Sequence, residues 1–156
     1  YIAYGKMKIK EGFFLSAEWS FGNFTLTSEY MELPVYLEMD LLGAVRTISD
    51  ETQQGWYITG SFLFGDNVTI YLTYDQFYQN KDDRTGESAV QSGLPAFFGW
   101  QKDMVAGIRY DVNFNWTIKA ECHFFDGVAK SAVFFPDFTS AEQKWFMVAG
   151  KISYNF

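Results

Sequence analysis

The chain has 156 residues, with 12 Lys+Arg against 19 Asp+Glu, one His and a formal charge of −7, so no basic stripe exists to engage nucleic acid. Its one cysteine, Cys122, excludes an intrachain disulfide and a cysteine-rich metal centre. No stretch approaches the roughly 18 consecutive apolar residues of a transmembrane helix, but a membrane β-strand needs only about 9–11 alternating residues and stays open.

The chain starts at Tyr1 without an initiator Met or a charged-then-apolar leader, as expected of a processed chain or a fragment. Residues 1–10 run on without a turn signal, as an extension of the first strand or the end of a preceding loop. From there period-two alternation dominates. Phe13, Leu15, Ala17, Trp19 and Phe21 oppose Phe14, Ser16, Glu18 and Ser20; past the Gly22-Asn23 turn, Phe24, Leu26, Ser28 and Tyr30 oppose Thr25, Thr27 and Glu29. A long connection is expected over roughly 34–53, and then Trp56, Ile58, Gly60, Phe62 and Phe64 oppose Tyr57, Thr59 and Ser61. After Gly65-Asp66-Asn67, Val68, Ile70, Leu72 and Tyr74 oppose Thr69, Tyr71, Thr73 and Asp75. A second long connection, 80–100, contains the most polar stretch, Asn80 to Gly93. Next, Ala106, Ile108, Tyr110 and Val112 oppose Gly107, Arg109, Asp111 and Asn113. The turn Asn113-Phe114-Asn115 leads to Trp116, Ile118, Ala120, Cys122 and Phe124 opposite Thr117, Lys119, Glu121 and His123. A third long connection, 127–142, precedes Lys144–Phe156, where Phe146, Val148, Gly150, Ile152, Tyr154 and Phe156 share one parity.

This makes seven expected strands, with Pro34, Pro95 and Pro136 all in the long connections, where no ladder hydrogen bond is needed. Asn23-Phe24-Thr25, Asn67-Val68-Thr69 and Asn115-Trp116-Thr117 repeat at the short turns, 44 and 48 residues apart. They match the glycosylation acceptor pattern but read more simply as turn asparagines followed by β-formers.

Alternate strands run in opposite directions, so the short turns fall at one end and the long connections at the other. Trp19, Phe21, Phe24, Phe62, Phe64, Tyr110, Trp116, Tyr154 and Phe156 cluster near the short-turn end, and Tyr30, Trp56, Tyr78, Phe124 and Phe146 near the other. Two aromatic belts flanking an uncharged middle fit an antiparallel up-and-down transmembrane β-barrel, with aromatic girdles at both interfaces. The opposite parity carries Glu18, Glu29, Asp75, Arg109, Asp111, Lys119, Glu121, His123 and Lys151 and is expected to line a lumen. Those charges read either as a cross-strand ladder stiffening the wall or as a field that sorts solutes by charge. A soluble β-sandwich or lipocalin-like barrel also alternates, but has no need to gather aromatics at the strand ends.

The segment Lys144–Phe156, through Ile152, Tyr154 and Phe156, resembles the terminal strand of Gram-negative outer-membrane β-barrel proteins. There, a final Phe preceded by alternating apolar residues is the signal read by the barrel-assembly machinery. The 21 residues Gly107–Gly127 resemble a late hairpin of general and phosphate-selective porins. Seven strands is an odd count where bacterial single-chain barrels have even ones. With this resemblance, residues 1–156 are therefore expected to be a single domain, the C-terminal part of a barrel of about 14–18 strands. The resemblance also implies an outer-membrane location, contact with lipid and a homotrimer. The implied activity is passive diffusion of small hydrophilic solutes, with no cofactor and no metal. Anion selectivity does not carry over, because three cations (Arg109, Lys119, Lys151) face five carboxylates (Glu18, Glu29, Asp75, Asp111, Glu121). A structural or interaction barrel without an open pore is the alternative, either a small closed one, eight-stranded if residues 1–10 hide a strand and a turn, or a sheath whose lumen holds a partner protein. An enzyme is not expected, since no nucleophile motif accompanies His123, and Cys122 reads as a small apolar residue on the lipid parity.

Overall fold

The structure, a computed structural model, describes residues 4–9, 11–41, 44–131 and 140–156, with the stretches 4–9, 37–41 and 44–49 described by backbone alone. Eight strand segments form one antiparallel sheet: β1 (Tyr4–Ile9), β2 (Phe13–Phe21), β3 (Phe24–Leu41), β4 (Ala44–Phe64), β5 (Val68–Tyr78), β6 (Trp100–Asp111), β7 (Trp116–Gly127) and β8 (Lys144–Tyr154). β1 and β2 lie one after the other along the same edge of β3, from Tyr4↔Asp40 to Ile9↔Val35 and from Phe13↔Glu32 to Phe21↔Phe24. The sheet is therefore seven strands wide, and the residues before β2 extend the first strand without adding another. Every connection joins sheet neighbours, the up-and-down order expected from the turn spacing.

The short turns follow from local chemistry. Phe21 pairs with Phe24 across two residues, and Gly22 takes φ 57° there, a left-handed conformation that suits the twist of a two-residue hairpin. Gly65, at φ 61°, opens the turn between Phe64 and Val68 in the same way.

The expected long connection over 34–53 is not a loop. β3 and β4 continue through it as a paired hairpin up to Leu41↔Ala44, with a register shift between Leu37 and Glu38. Pro34 lies inside β3, opposite Thr52, and not in a loop. Thr52 presents its carbonyl to the amide of Lys81, on the side away from β3. The nitrogen of Pro34 therefore faces the other edge, at the gap between β1 and β2, where the ladder needs no donor. Proline marked a ladder interruption, and the interruption falls at this edge.

The second connection, between β5 and β6, holds the helix α1 (Glu87–Gln91) and a 3-10 turn, Ala96–Phe98. Asp83 accepts the backbone N–H groups of Ser88 at 2.7 Å and Glu87 at 2.9 Å, capping the first turn of α1. Pro95 lies in this connection as expected, whereas Pro136 and half of the third connection fall outside the described residues.

The buried apolar residues, Phe77, Tyr78, Phe98, Val105, Phe125 and Val128, gather at the loop end of the sheet. Val128 and its neighbours fold back over the sheet there: the amide of Val128 donates to Phe97 and that of Ala129 to Trp100. Among the described residues, β8 and the outer side of β2 have no partner beyond the sheet, so the sheet is not closed.

Candidate functional site: a two-faced sheet and its polar trough

The register decides which residues share a face, because cross-strand partners point the same way. One row runs Leu26, Gly60, Leu72, Ala106, Cys122, Val148 across β3 to β8, and the next runs Ser28, Ile58, Tyr74, Met104, Phe124, Phe146. Trp19, Phe21, Phe24, Phe62, Phe64, Tyr110, Trp116, Ile152, Tyr154 and Phe156 lie at the short-turn end of this apolar side, and all ten are exposed.

Exposure is inverted relative to a water-soluble sheet. Along β6, Gln101, Asp103, Val105 and Gly107 are buried while Met104, Ala106 and Ile108 are exposed. On the apolar face Leu72 is 63 % exposed, Val148 65 % and Ile152 68 %, whereas Asp103 on the other face is 8 % exposed. Soluble monomers rarely leave a contiguous apolar face spanning several strands bare.

The belts are oriented as well as placed. At the short-turn end the rings of Phe62 and Phe64 meet at 4.6 Å and those of Trp116 and Tyr154 at 4.8 Å. At the loop end the polar handles are engaged: Tyr30 Oη donates to Glu32, toward the loops, at 2.5 Å, and Trp56 Nε1 donates across the strands to Gln76 at 3.1 Å. Tyr78, expected in this belt, is on the right face but is 8 % exposed. The start of the β5–β6 connection covers it, with the Arg84 guanidinium 5.3 Å from its ring and donating to Gln54 at 2.9 Å.

The other face carries all nine expected charged residues. Ser16 pairs with Glu29 and Glu18 with Thr27; Asp75 faces Tyr57 on one side and Asp103 on the other. Arg109, Lys119 and Lys151 are successive cross-strand partners on β6, β7 and β8. Arg109 binds Asp111 at 2.9 Å and Lys119 binds Glu121 at 3.0 Å. Lys151 and Glu18 have no ion pair among the described residues. A cavity of about 550 Å³ opens on this face, lined by side chains from β4 through β8, among them Thr59, Tyr71, Arg109, Lys119, Glu121 and Lys151. Lining from five successive strands requires the sheet to curl toward its polar side.

Two features of this face were missed by the sequence reading. Tyr71 crosses β6 to donate to Glu121 at 2.8 Å, with Lys119 4.9 Å from its ring. Gly107 permits the crossing, since a Cβ there would stand 2.1 Å from Tyr71 Cζ. A glycine among strand residues was the available signal. The second feature lies toward the loops, where His123 Nδ1 and Asp103 Oδ2 are 2.8 Å apart and Lys130 reaches down to bind Asp75. Asp103 Oδ1 is buried without a partner. Phe125 stacks on His123 at 5.5 Å and on Trp145 at 3.8 Å, so the trough is aromatic at this end. Asp103 lay beyond the strand start expected at Ala106, and nothing in the sequence pattern brings Lys130 over β5.

Among the described residues no three His, Cys, Asp or Glu side chains could hold a metal ion. His123 is engaged with Asp103 and Phe125, without a hydroxyl or thiol nucleophile on it. Cys122 sits on the apolar face between Ala106 and Val148. Comparison with protein-family models, curated proteins and solved structures finds no match.

Proposed function

We propose that this chain forms part of the wall of a bacterial outer-membrane β-barrel, and that the barrel is a porin-like channel for passive diffusion of small hydrophilic solutes or ions. The observation that carries the reading is the inversion of the two faces, apolar exposed and polar shielded. In water that arrangement leaves a large hydrophobic cost unmet. In a bilayer it is the required one, because a charge facing lipid at mid-depth costs about 2–4 kcal/mol. The dimensions agree: Trp116 and Phe124, one from each belt, are eight residues apart on β7. That is about 27 Å along the strand, or roughly 20 Å after a tilt near 40°, close to the ~25 Å apolar band of such barrels.

The free edges support a larger closed structure. Backbone groups left unpaired in hydrocarbon cost several kcal/mol each, so both edges must be paired in a membrane. β2 and β8 are the outer strands of a seven-strand up-and-down sheet and run in the same direction. They cannot close on each other antiparallel, and closure takes an odd number of further strands. The chemistry is that of a wall and a field: the trough offers hydroxyls and charges to a passing solute.

The test is planar-bilayer recording of the natural polypeptide that carries this chain. Stepwise conductance that shifts its ion preference when Lys151 is replaced by Glu is the expected result. A polypeptide that inserts into vesicles but conducts nothing overturns the channel. It would leave a structural barrel, the reading favoured by the stacked His123, Phe125 and Trp145 rings at the loop end of the trough.

A further inference from the structure

The apolar face ends abruptly toward the loops. One step beyond the row of Tyr74, Met104, Phe124 and Phe146, the cross-strand row reads Tyr30, Trp56, Gln76, Lys102, Asp126 and Lys144. Lys102 and Lys144 thus flank Asp126 on the apolar side of the sheet, about 10 Å apart across two strand spacings. Asp126 pairs directly with neither: its Oδ1 accepts Gln143 Nε2 at 2.9 Å and Trp100 Nε1 at 3.5 Å, and neither lysine has an ion pair among the described residues. On the same side, Arg84 donates to Gln54 Oε1 at 2.9 Å and to the carbonyl of Lys81 at 3.4 Å, with no carboxylate partner. Lys81 itself is taken by Glu32 at 3.2 Å, and Asp83 is turned to the amides of α1.

We propose that Arg84, Lys102 and Lys144 form a strip that binds the phosphates of lipid headgroups in the leaflet on the loop side. This rests on the membrane reading above. Three cations without carboxylate partners stand directly past an aromatic belt, at the height where a bilayer changes from hydrocarbon to phosphate. Their stems lie along apolar surface while their charged ends reach the interface. The handles of Trp56 and Tyr30 point toward the same level. Charge complementarity selects the occupant: although Asp82, Asp83 and Glu87 share the segment of Arg84, the three cations have no carboxylate partner among the described residues, and a phosphate supplies the missing acceptor.

The experiment uses the detergent-solubilised natural polypeptide and native mass spectrometry, with phosphatidylglycerol and phosphatidylcholine as the two probes. The parent is expected to retain phosphatidylglycerol preferentially. The triple variant Arg84→Gln, Lys102→Gln, Lys144→Gln should lose roughly tenfold to a hundredfold of that preference, at about fivefold per cation near a membrane surface. Lys102→Arg with Lys144→Arg should restore it. Equal retention of both lipids by the parent, or an undiminished preference in the triple variant, overturns the strip. Insertion of both proteins into vesicles is measured in parallel. If neither inserts, the membrane reading falls and the strip with it; if both insert without any phosphatidylglycerol preference, the strip alone falls.

Discussion

Two adjacent residues on β5 provide the sharpest test of the face assignment. Leu72 lies at mid-height of the apolar face, between Gly60 and Ala106, and is 63 % exposed. Thr73 points to the polar face and shares a 2.7 Å hydroxyl hydrogen bond with Thr59. If the apolar face meets lipid, Leu72→Arg costs about 2–4 kcal/mol, a loss of roughly thirtyfold to several hundredfold in the folding equilibrium. If that face meets water, the side chain is already exposed and the change stays within about 0.5 kcal/mol. Thr73→Arg forfeits one neutral hydrogen bond, about 1 kcal/mol, and places its guanidinium in the trough near Asp75. The assay is urea-dependent folding into phosphatidylcholine vesicles, followed by tryptophan fluorescence and by mobility on gels without heating. The membrane reading expects Leu72→Arg to be worse by at least 1 kcal/mol. A neutral Leu72→Arg beside a Thr73→Arg that loses more than 2 kcal/mol would reverse the faces and refute the reasoning.

Other outcomes follow from single contacts. Gly107→Val must displace the Tyr71 ring and break its bond to Glu121, costing about 1–2 kcal/mol. The same change in a Tyr71→Ala background should cost at least 1 kcal/mol less, a coupling read from a double-mutant cycle. The amides of Ser88 and Glu87 hold the Asp83 carboxyl down to about 2. Since this folded value lies below the unfolded one of about 3.9, the cap's contribution is full above pH 4 and is lost as pH falls toward 2. Hydrogen exchange at Glu87 and Ser88, corrected for intrinsic rate, should show protection declining over that window, and Asp83→Asn should abolish the dependence. Phe156 is fully exposed, its ring 6.3 Å from Tyr154. Phe156→Ala should slow assembly into membranes in cells while leaving the unfolding free energy of refolded protein within about 0.5 kcal/mol of the parent.

Period-two alternation carried most of the fold, because a sheet with one face of each character writes that pattern into every strand. Strand order followed from turns such as Gly22-Asn23, where two residues permit only a neighbouring antiparallel strand. The stretch from Pro34 to Gln53 was read as a loop for the opposite reason. Leu33, Val35 and Leu37 alternate with Pro34, Tyr36 and Glu38 without a clean polar face, and the proline argued against a ladder. Its effect is confined to one edge of β3, between β1 and β2, and a sequence does not say which edge of a strand is interrupted.

The site was legible as membership of a face and not as contacts. Parity alone placed Glu18, Glu29, Asp75, Arg109, Asp111, Lys119, Glu121, His123 and Lys151 together, and the register keeps them so. Counting their charges, however, treats the face as uniform. The register separates them: Arg109, Lys119 and Lys151 form one row across β6 to β8, while Glu18, Glu29 and Asp75 belong to β2, β3 and β5. The two carboxylates beside the cations, Asp111 and Glu121, are each bound to one of them. Lys151 therefore remains the unpaired cation of that row among the described residues. Of the remaining carboxylates, Glu18 and Glu29 lie away from this row on β2 and β3, and Asp75 on β5 is bound by Lys130.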